Sequence, residues 1–219
     1  CVSHHQRAFV RRKKRVHVIP NALQERFAQE VTPDSDKAFE QQRVLMLGSL
    51  KEYKGTREFI ELASELSDFN FELVINDSQD NIDSWLKSKE ITPPQNITIH
   101  PRQKSVTQFY NRASILLNLT NKKFAIETFG LTALEAMTAG IPVIVPTVGG
   151  IAEMVTDGVN GYKIDVQELA RIKETIKYIL TNKEIFLSLA KNSLMCSKKY
   201  GSRHMIGNIR QIITVGCGK

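Results

Sequence analysis

From Arg43 onward, short apolar runs alternate with amphipathic stretches, a pattern that predicts strands followed by helices. "RVLMLGSL" (43–50) reads as a β-type run ending in Gly and Ser. Gly55 to Asp68 then sets Phe59, Leu62, Ala63 and Leu66 at helical spacing. The unit recurs. "FELVIN" (71–76) precedes a helical segment around Trp85 and Leu86, and "NITIH" (96–100) precedes one over Lys104 to Ala113. "SILLNL" (114–119) leads through a loop into a buried helix that starts at about Leu131, and "IPVIVP" (141–146) is the next strand. A short amphipathic helix follows Gly149 and Gly150, and "GYKIDV" predicts a short edge strand. The last third is helical: Gln167 to Leu180, with Leu169, Ile172, Ile176 and Ile179 on one face, then Glu184 to Tyr200 and His204 to Val215.

Strands that read as continuous apolar runs, separated by helical segments of about 10 to 15 residues, imply a parallel sheet covered on both faces. The expected fold is a doubly wound, Rossmann-like α/β domain with a C-terminal helical extension. Ligands of such sheets bind at the carboxyl ends of the strands, so the loops after each strand are the places to search.

Composition narrows this picture little. The chain has 219 residues, 42% hydrophobic and 24% charged, a size that favours one domain. It has no apolar run near the roughly 18 residues a membrane-spanning helix requires. The net charge is +7, of which Arg11, Arg12, Lys13, Lys14 and Arg15 contribute +5, leaving +2 for everything else. That run reads equally as a solvated face or as a contact for a phosphate-rich partner or lipid headgroups. Three cysteines, Cys1, Cys196 and Cys217, indicate neither a disulfide framework nor a zinc site, and a reducing compartment suits them. His4 and His5 are adjacent, a poor arrangement for one metal ion. The opening "CVSHHQRAF" has no initiator Met and no signal-peptide pattern, and is expected to continue a longer protein.

Among the loops, "GSLKEYKG" (48–55) brackets Ser49, Lys51 and Lys54 between glycines, just after a strand and before a helix. Helix-terminal amides plus an ammonium group form an anion site, although a plain turn with surface lysines fits the same residues. Asn76, Asp77, Pro101 and Arg102 end two other strands, where they either touch a ligand or close a turn. "ETFGLTALEAM" (127–137) carries more information. Phe129 and Gly130 sit where the chain turns into the helix, with Thr128 or Thr132 available to cap its free amides. Glu135 lies one turn after Leu131, and the tilt of helical side chains aims its carboxylate back toward the loop. Glu127 faces the same space from outside the helix. Carboxylates accept hydrogen bonds from sugar or ribose hydroxyls, and the amides of Gly130 and Leu131 suit phosphate oxygens. Two solvated surface acids are the alternative. Gly149 and Gly150 allow either close approach of a ligand or a tight turn.

Taken in order, these residues resemble the nucleotide-sugar-binding half of the retaining glycosyltransferases called group 1 or family four, which have the two-domain GT-B architecture. "ETFGLTALEAMTAGIPVIVPTVGGIAEMVTDGVNGYKI" (127–164) looks like that family's signature: Glu, seven residues, Glu, a strand, Gly-Gly, an acid, and Asp-Gly-x-x-Gly. "HVIPNAL" (17–23) resembles the start of the donor domain, and "MLGSLKEYKG" its first phosphate loop. The resemblance spans about Val16 to Asp165. It implies that Glu127, the catalytic candidate, and the Phe129 and Gly130 amides hold the transferred sugar, while Glu135 holds the ribose hydroxyls. It also implies that Leu131 and Thr132 amides hold the diphosphate, Arg102 and its loop the base, and that Lys54 neutralises diphosphate charge without a metal or other cofactor. Ser49 stands where the family commonly has Arg, which leaves Lys51 as the candidate replacement; Asn76 and Asp77 replace a Gly-rich turn.

On this resemblance residues 1–15 are an interdomain remnant, 16–200 the nucleotide-sugar-binding domain and 201–219 a helix that crosses back to an N-terminal acceptor domain absent from the chain. The expected activity is hexosyl transfer to a glycan or lipid-linked acceptor, cytoplasmic and peripheral to the membrane, with no transfer by the fragment alone. Two other readings are a non-catalytic nucleotide-sugar module and a nucleic-acid-binding module using the 11–15 run. The lack of aromatics interleaved with that run counts against nucleic acid as a partner.

Overall fold

The computed structural model describes residues 1–11 and 16–216, and four residues of the basic run, 12–15, lie outside that range. Three short helices precede the sheet, none of them singled out by the hydrophobic pattern: α1 (His4–Ala8), α2 (Glu25–Glu30) and α3 (Ser35–Gln41). The alternation then follows the sequence closely: β1 (Arg43–Gly48), α4 (Thr56–Glu65), β2 (Asn70–Ile75), α5 (Gln79–Ser88), β3 (Ile97–His100), α6 (Thr107–Tyr110), β4 (Ile115–Leu117), α7 (Leu131–Thr138), β5 (Val143–Val145), α8 (Gly150–Glu153) and β6 (Gly161–Lys163). Three helices close the chain: α9 (Leu169–Thr181), α10 (Lys183–Ser197) and α11 (Ser202–Gly216).

The six strands are all parallel and lie in the order β3-β2-β1-β4-β5-β6, with β6 at the edge as expected. The order reverses between β1 and β4, so the loops leaving these two strands diverge and open a crevice at their carboxyl ends. Alternate residues of each strand feed opposite cores. Val44 and Met46 of β1 join Phe71, Leu73 and Ile75 of β2 under α4, α9 and α10, whereas Leu45 and Val74 join Leu116 and Val143 under α7 and α8. This two-sided burial explains why the strands read as unbroken apolar runs.

Two details depart from the expected pattern. The helix expected over Lys104 to Ala113 contracts to α6 and runs out in tighter turns, Arg112 N bonding the Phe109 carbonyl at 3.4 Å and Ala113 N the Tyr110 carbonyl at 3.3 Å. Within β2, Glu72 is a buried acid in an apolar run. Its carboxylate accepts from Arg112 Nε at 2.9 Å, with Arg43 and His100 beside it.

The segment expected to be an interdomain remnant docks on this domain for the part described. Glu153 of α8 accepts the first free amides of α1, His4 at 3.0 Å and His5 at 2.5 Å, and Ser3 is buried beneath. At the other end α11 leaves Ile206 and Ile213 exposed.

Candidate functional site

A cavity of about 510 Å³ opens at the switch point between β1 and β4. The exit of β1 supplies Gly48, Ser49 and Lys54; the exit of β2 supplies Asn76; the exit of β3 supplies Arg102 and Gln103. The long loop from β4 to α7 contributes Asn118 to Thr120 and Glu127 to Gly130, and α7 contributes Leu131 and Thr132. Of the expected site residues, Glu127, Lys54, Ser49, Arg102, Phe129, Gly130, Leu131 and Thr132 converge here.

Lys51 does not. It has extended backbone (φ −69°, ψ 128°) before the short 3₁₀ turn Glu52–Lys54, and its side chain lines a separate cleft with Tyr53, Trp85 and Phe124. The turn sends the two lysines to different clefts, so Lys51 does not replace the missing Arg opposite Ser49. The amides of α4 also miss the cavity: Thr56 lines that same second cleft and its buried hydroxyl donates to the Ser49 carbonyl at 2.9 Å. What the β1 loop offers a ligand is therefore one ammonium group and the backbone of Gly48 and Ser49.

That ammonium group already has a partner. Lys54 Nζ donates to Glu127 Oε1, an oxygen that also accepts from Thr120 Oγ1 at 2.9 Å. Burial pushes the Glu127 carboxyl up, but Lys54, Thr120 and Asn118 outweigh burial and hold it below the usual carboxylate range. Glu127 is thus an anion fixed on the cavity wall, its charge balanced by Lys54.

The opposite wall is the start of α7. Gly130 is its N-cap at φ 89°, and no side chain caps the helix, so neither Thr128 nor Thr132 plays the expected capping part. The first-turn amides have no partner within the helix, Leu131 and Thr132 line the cavity, and the partial positive charge of such a helix start favours an anion. Gly130 is needed twice over: its φ is positive, and a β-carbon there would stand 2.5 Å from the Ile151 side chain. Phe129 contributes backbone only, since its ring is buried edge-on against Tyr200 at 5.8 Å.

Glu135 is not among the residues that line the cavity. Its carboxylate is half-buried behind Leu131, where the Tyr110 hydroxyl donates to it at 2.5 Å. Burial raises the Glu135 carboxyl above its ordinary value and the Tyr110 hydrogen bond only partly opposes this. Arg102, by contrast, is held at the rim: its Nε donates to Asn76 Oδ1 at 2.8 Å and its amide to the Asp77 carbonyl at 2.8 Å. Asn76 therefore serves as the support for Arg102, while Ser78 caps the next helix and Asp77 steadies that cap, accepting from Ser78 N at 2.9 Å and Asn81 Nδ2 at 2.6 Å.

The paired glycines do not line the cavity. Gly150 N donates to the Glu127 carbonyl at 2.8 Å, and a β-carbon on Gly149 or Gly150 would collide with the 127–128 backbone at 2.4 and 1.9 Å. Their place is directly beneath the acidic loop. The same loop is tied down again by Lys122, which reaches both Asp165 and the Thr147 hydroxyl, and by Asn121, which bonds Tyr53 and Gln167. Sequence reasoning missed Thr120, Asn118, Tyr110 and the Lys122–Asp165 tether. Only the first two carried a signal, as polar residues directly after an apolar strand.

Among the described residues no group of three metal-ligating side chains converges, and no helix is long and apolar enough to cross a membrane. The family model described as "Glycosyl transferases group 1" matches residues 28–194. An uncharacterized glycosyltransferase of Methanocaldococcus jannaschii is 28% identical over 172 residues, covering 77% of this chain and 46% of that protein. Two solved structures share the fold. HepE from Anabaena, in complex with UDP and glucose, has a TM-score of 0.77 at 20% identity over 100% of this chain and 62% of that one. The C-terminal domain of a group 1 family glycosyl transferase (LpcC) from Francisella tularensis has a TM-score of 0.63 at 20% identity, covering 80% of this chain and 98% of that one. The chain spans about half the length of the first relatives it matches.

Proposed function

The chain belongs to the group 1 glycosyl transferases, and we propose that it is the nucleotide-sugar donor-binding half of a retaining enzyme that transfers a hexose-type sugar to a glycan or lipid-linked acceptor. The observation that carries this reading is the cavity in which the Lys54–Glu127 pair faces an uncapped helix N-terminus. A diphosphate seated at the start of α7 would meet the helix-start amides and the Lys54 ammonium that lines the same cavity.

Binding would then exchange partners. The diphosphate draws Lys54 away from Glu127, and the freed carboxylate, still held by Thr120, accepts hydroxyls of the transferred sugar. As the glycosidic bond to the diphosphate breaks, negative charge grows on the leaving phosphate. On this reading Lys54 and the α7 amides would stabilise that charge in place of a metal ion or other cofactor. The acceptor would be held by a second domain of comparable size, consistent with relatives about twice as long as this chain. On this reading the purified chain binds donor but transfers nothing by itself, and the complete enzyme works in the cytoplasm at a membrane face.

Calorimetric titration with UDP-, GDP- and ADP-sugars tests the proposal. At least one donor should bind the wild-type chain, and Glu127→Ala should weaken it at least tenfold. Failure of every donor to bind, or indifference to Glu127→Ala, would overturn the site.

A further inference from the structure

The second acid of the signature is held by a residue outside the signature. Tyr110 donates its hydroxyl to Glu135 Oε2 at 2.5 Å, and among the described residues no other hydrogen bond reaches that carboxylate. Tyr110 is itself fully buried on α6, with its ring edge-on to Phe27 at 5.5 Å between centroids. An enclosed tyrosine hydroxyl requires an acceptor, and here the acceptor is Glu135. The oxygen it contacts is therefore fixed in space.

The position of the pair relates it to the cavity. Tyr110 lies one helical turn beyond Val106, and Glu135 one turn beyond Leu131; both Val106 and Leu131 line the cavity wall. The pair thus lies one helical turn from two residues of the cavity wall. A carboxylate has about four acceptor sites, of which Tyr110 occupies one on Oε2. The remaining capacity is two oxygens side by side, the spacing that a vicinal diol matches with its two donors.

Resting on the donor-binding reading above, we propose that Tyr110 is a positioning residue: it orients the Glu135 carboxylate to receive the ribose diol of the nucleotide while touching no ligand itself. Phenylalanine at this position keeps the ring packing and removes only the donor. Glu135 then loses its sole fixed partner and is free to turn from the ribose, so the loss falls on ribose recognition alone.

The test uses the 219-residue chain and calorimetry. UDP, GDP and ADP identify the tightest nucleotide, which is then compared with its 2′,3′-dideoxy analogue on wild type and Tyr110→Phe. Wild type should prefer the ribose form by about tenfold or more, and Tyr110→Phe should lose most of that preference while binding the dideoxy form within about twofold of wild type. Equal losses for both nucleotides would show a merely structural role and overturn the proposal. A wild type that binds no nucleotide, or ignores the ribose hydroxyls, would instead overturn the donor-site reading and the proposal with it. Circular dichroism checks that the variant folds. Should it not, a crystal structure of the wild-type nucleotide complex decides: Glu135 bridging the Tyr110 hydroxyl and the ribose supports the proposal, and Glu135 turned away from either overturns it.

Discussion

Gly150→Ala is the most direct test of how the acidic loop is held. Gly150 has no positive φ, so alanine meets no backbone strain and the effect is purely steric. Its β-carbon would stand 1.9 Å from the Thr128 carbonyl oxygen and 2.7 Å from the Ser3 β-carbon. Carbon and carbonyl oxygen normally approach no closer than about 3.3 Å, so the Thr128 carbonyl must retreat by roughly 1.4 Å. Overpacking of this kind costs about 1–3 kcal/mol. Loss of the 2.8 Å bond from Gly150 N to the Glu127 carbonyl adds about 1 kcal/mol, for a total of about 2–4. For a chain of this size that lowers Tm by about 5–15 °C, and typical domain stability still leaves the protein folded. Because the displaced carbonyl adjoins Glu127, donor affinity should fall by about tenfold or more. Gly158→Ala is the control. Its φ is 71° with nothing within 4 Å, so it should cost only about 1–2 kcal/mol and leave affinity unchanged. Thermal unfolding and calorimetry measure both quantities. A Gly150→Ala protein that melts within about 2 °C of wild type and binds donor equally would refute the argument that the glycine pair supports the loop.

Three further outcomes are expected. Lys54→Met should weaken donor binding and destabilise the chain by about 1–3 kcal/mol, below the range for a fully buried pair. The depressed Glu127 carboxyl contributes stability present above about pH 4.3 and lost as pH falls through its lowered value, so acid unfolding of Lys54→Met should begin at higher pH than that of wild type; superimposable acid limbs would contradict this. Glu135→Gln should run the other way. A raised carboxyl costs stability as pH climbs from about 4.3 through its folded value, so the variant's stability relative to wild type should grow from pH 4 to pH 7 in urea titrations while its donor affinity falls. Finally, Asp165→Asn weakens the tether to Lys122 and Thr147; unfolding should be easier by about 1–3 kcal/mol, and an unchanged urea midpoint would show that the tether is idle.

Much of this molecule is legible in one dimension because burial on both faces of a parallel sheet leaves an unmistakable apolar run. All six strands fall within or beside the runs predicted for them, and β6 is the edge strand. The loop from Glu127 to Leu131 was legible too, since Phe-Gly before a helical pattern marks a helix start whatever surrounds it. Thr107 shows the limit. Its segment has helical spacing, but its hydroxyl is bonded to Glu30, far away in sequence, a partner that no local pattern records. Lys51 shows it again: two lysines three residues apart look interchangeable until the turn between them sends one to each cleft.

The sequence by itself determined the six strands, the long helices and the family, because period and turn chemistry are local properties that a few neighbouring residues express. Tertiary structure alone decided which charges meet. Lys54 and Glu127 are 73 residues apart, Tyr110 and Glu135 are 25 apart, and Glu127 rests on glycines that face its backbone rather than the cavity. The first of those meetings depends on the strand order that sets β1 beside β4. No local pattern records that order: it follows from how the two apolar faces of the whole sheet are covered.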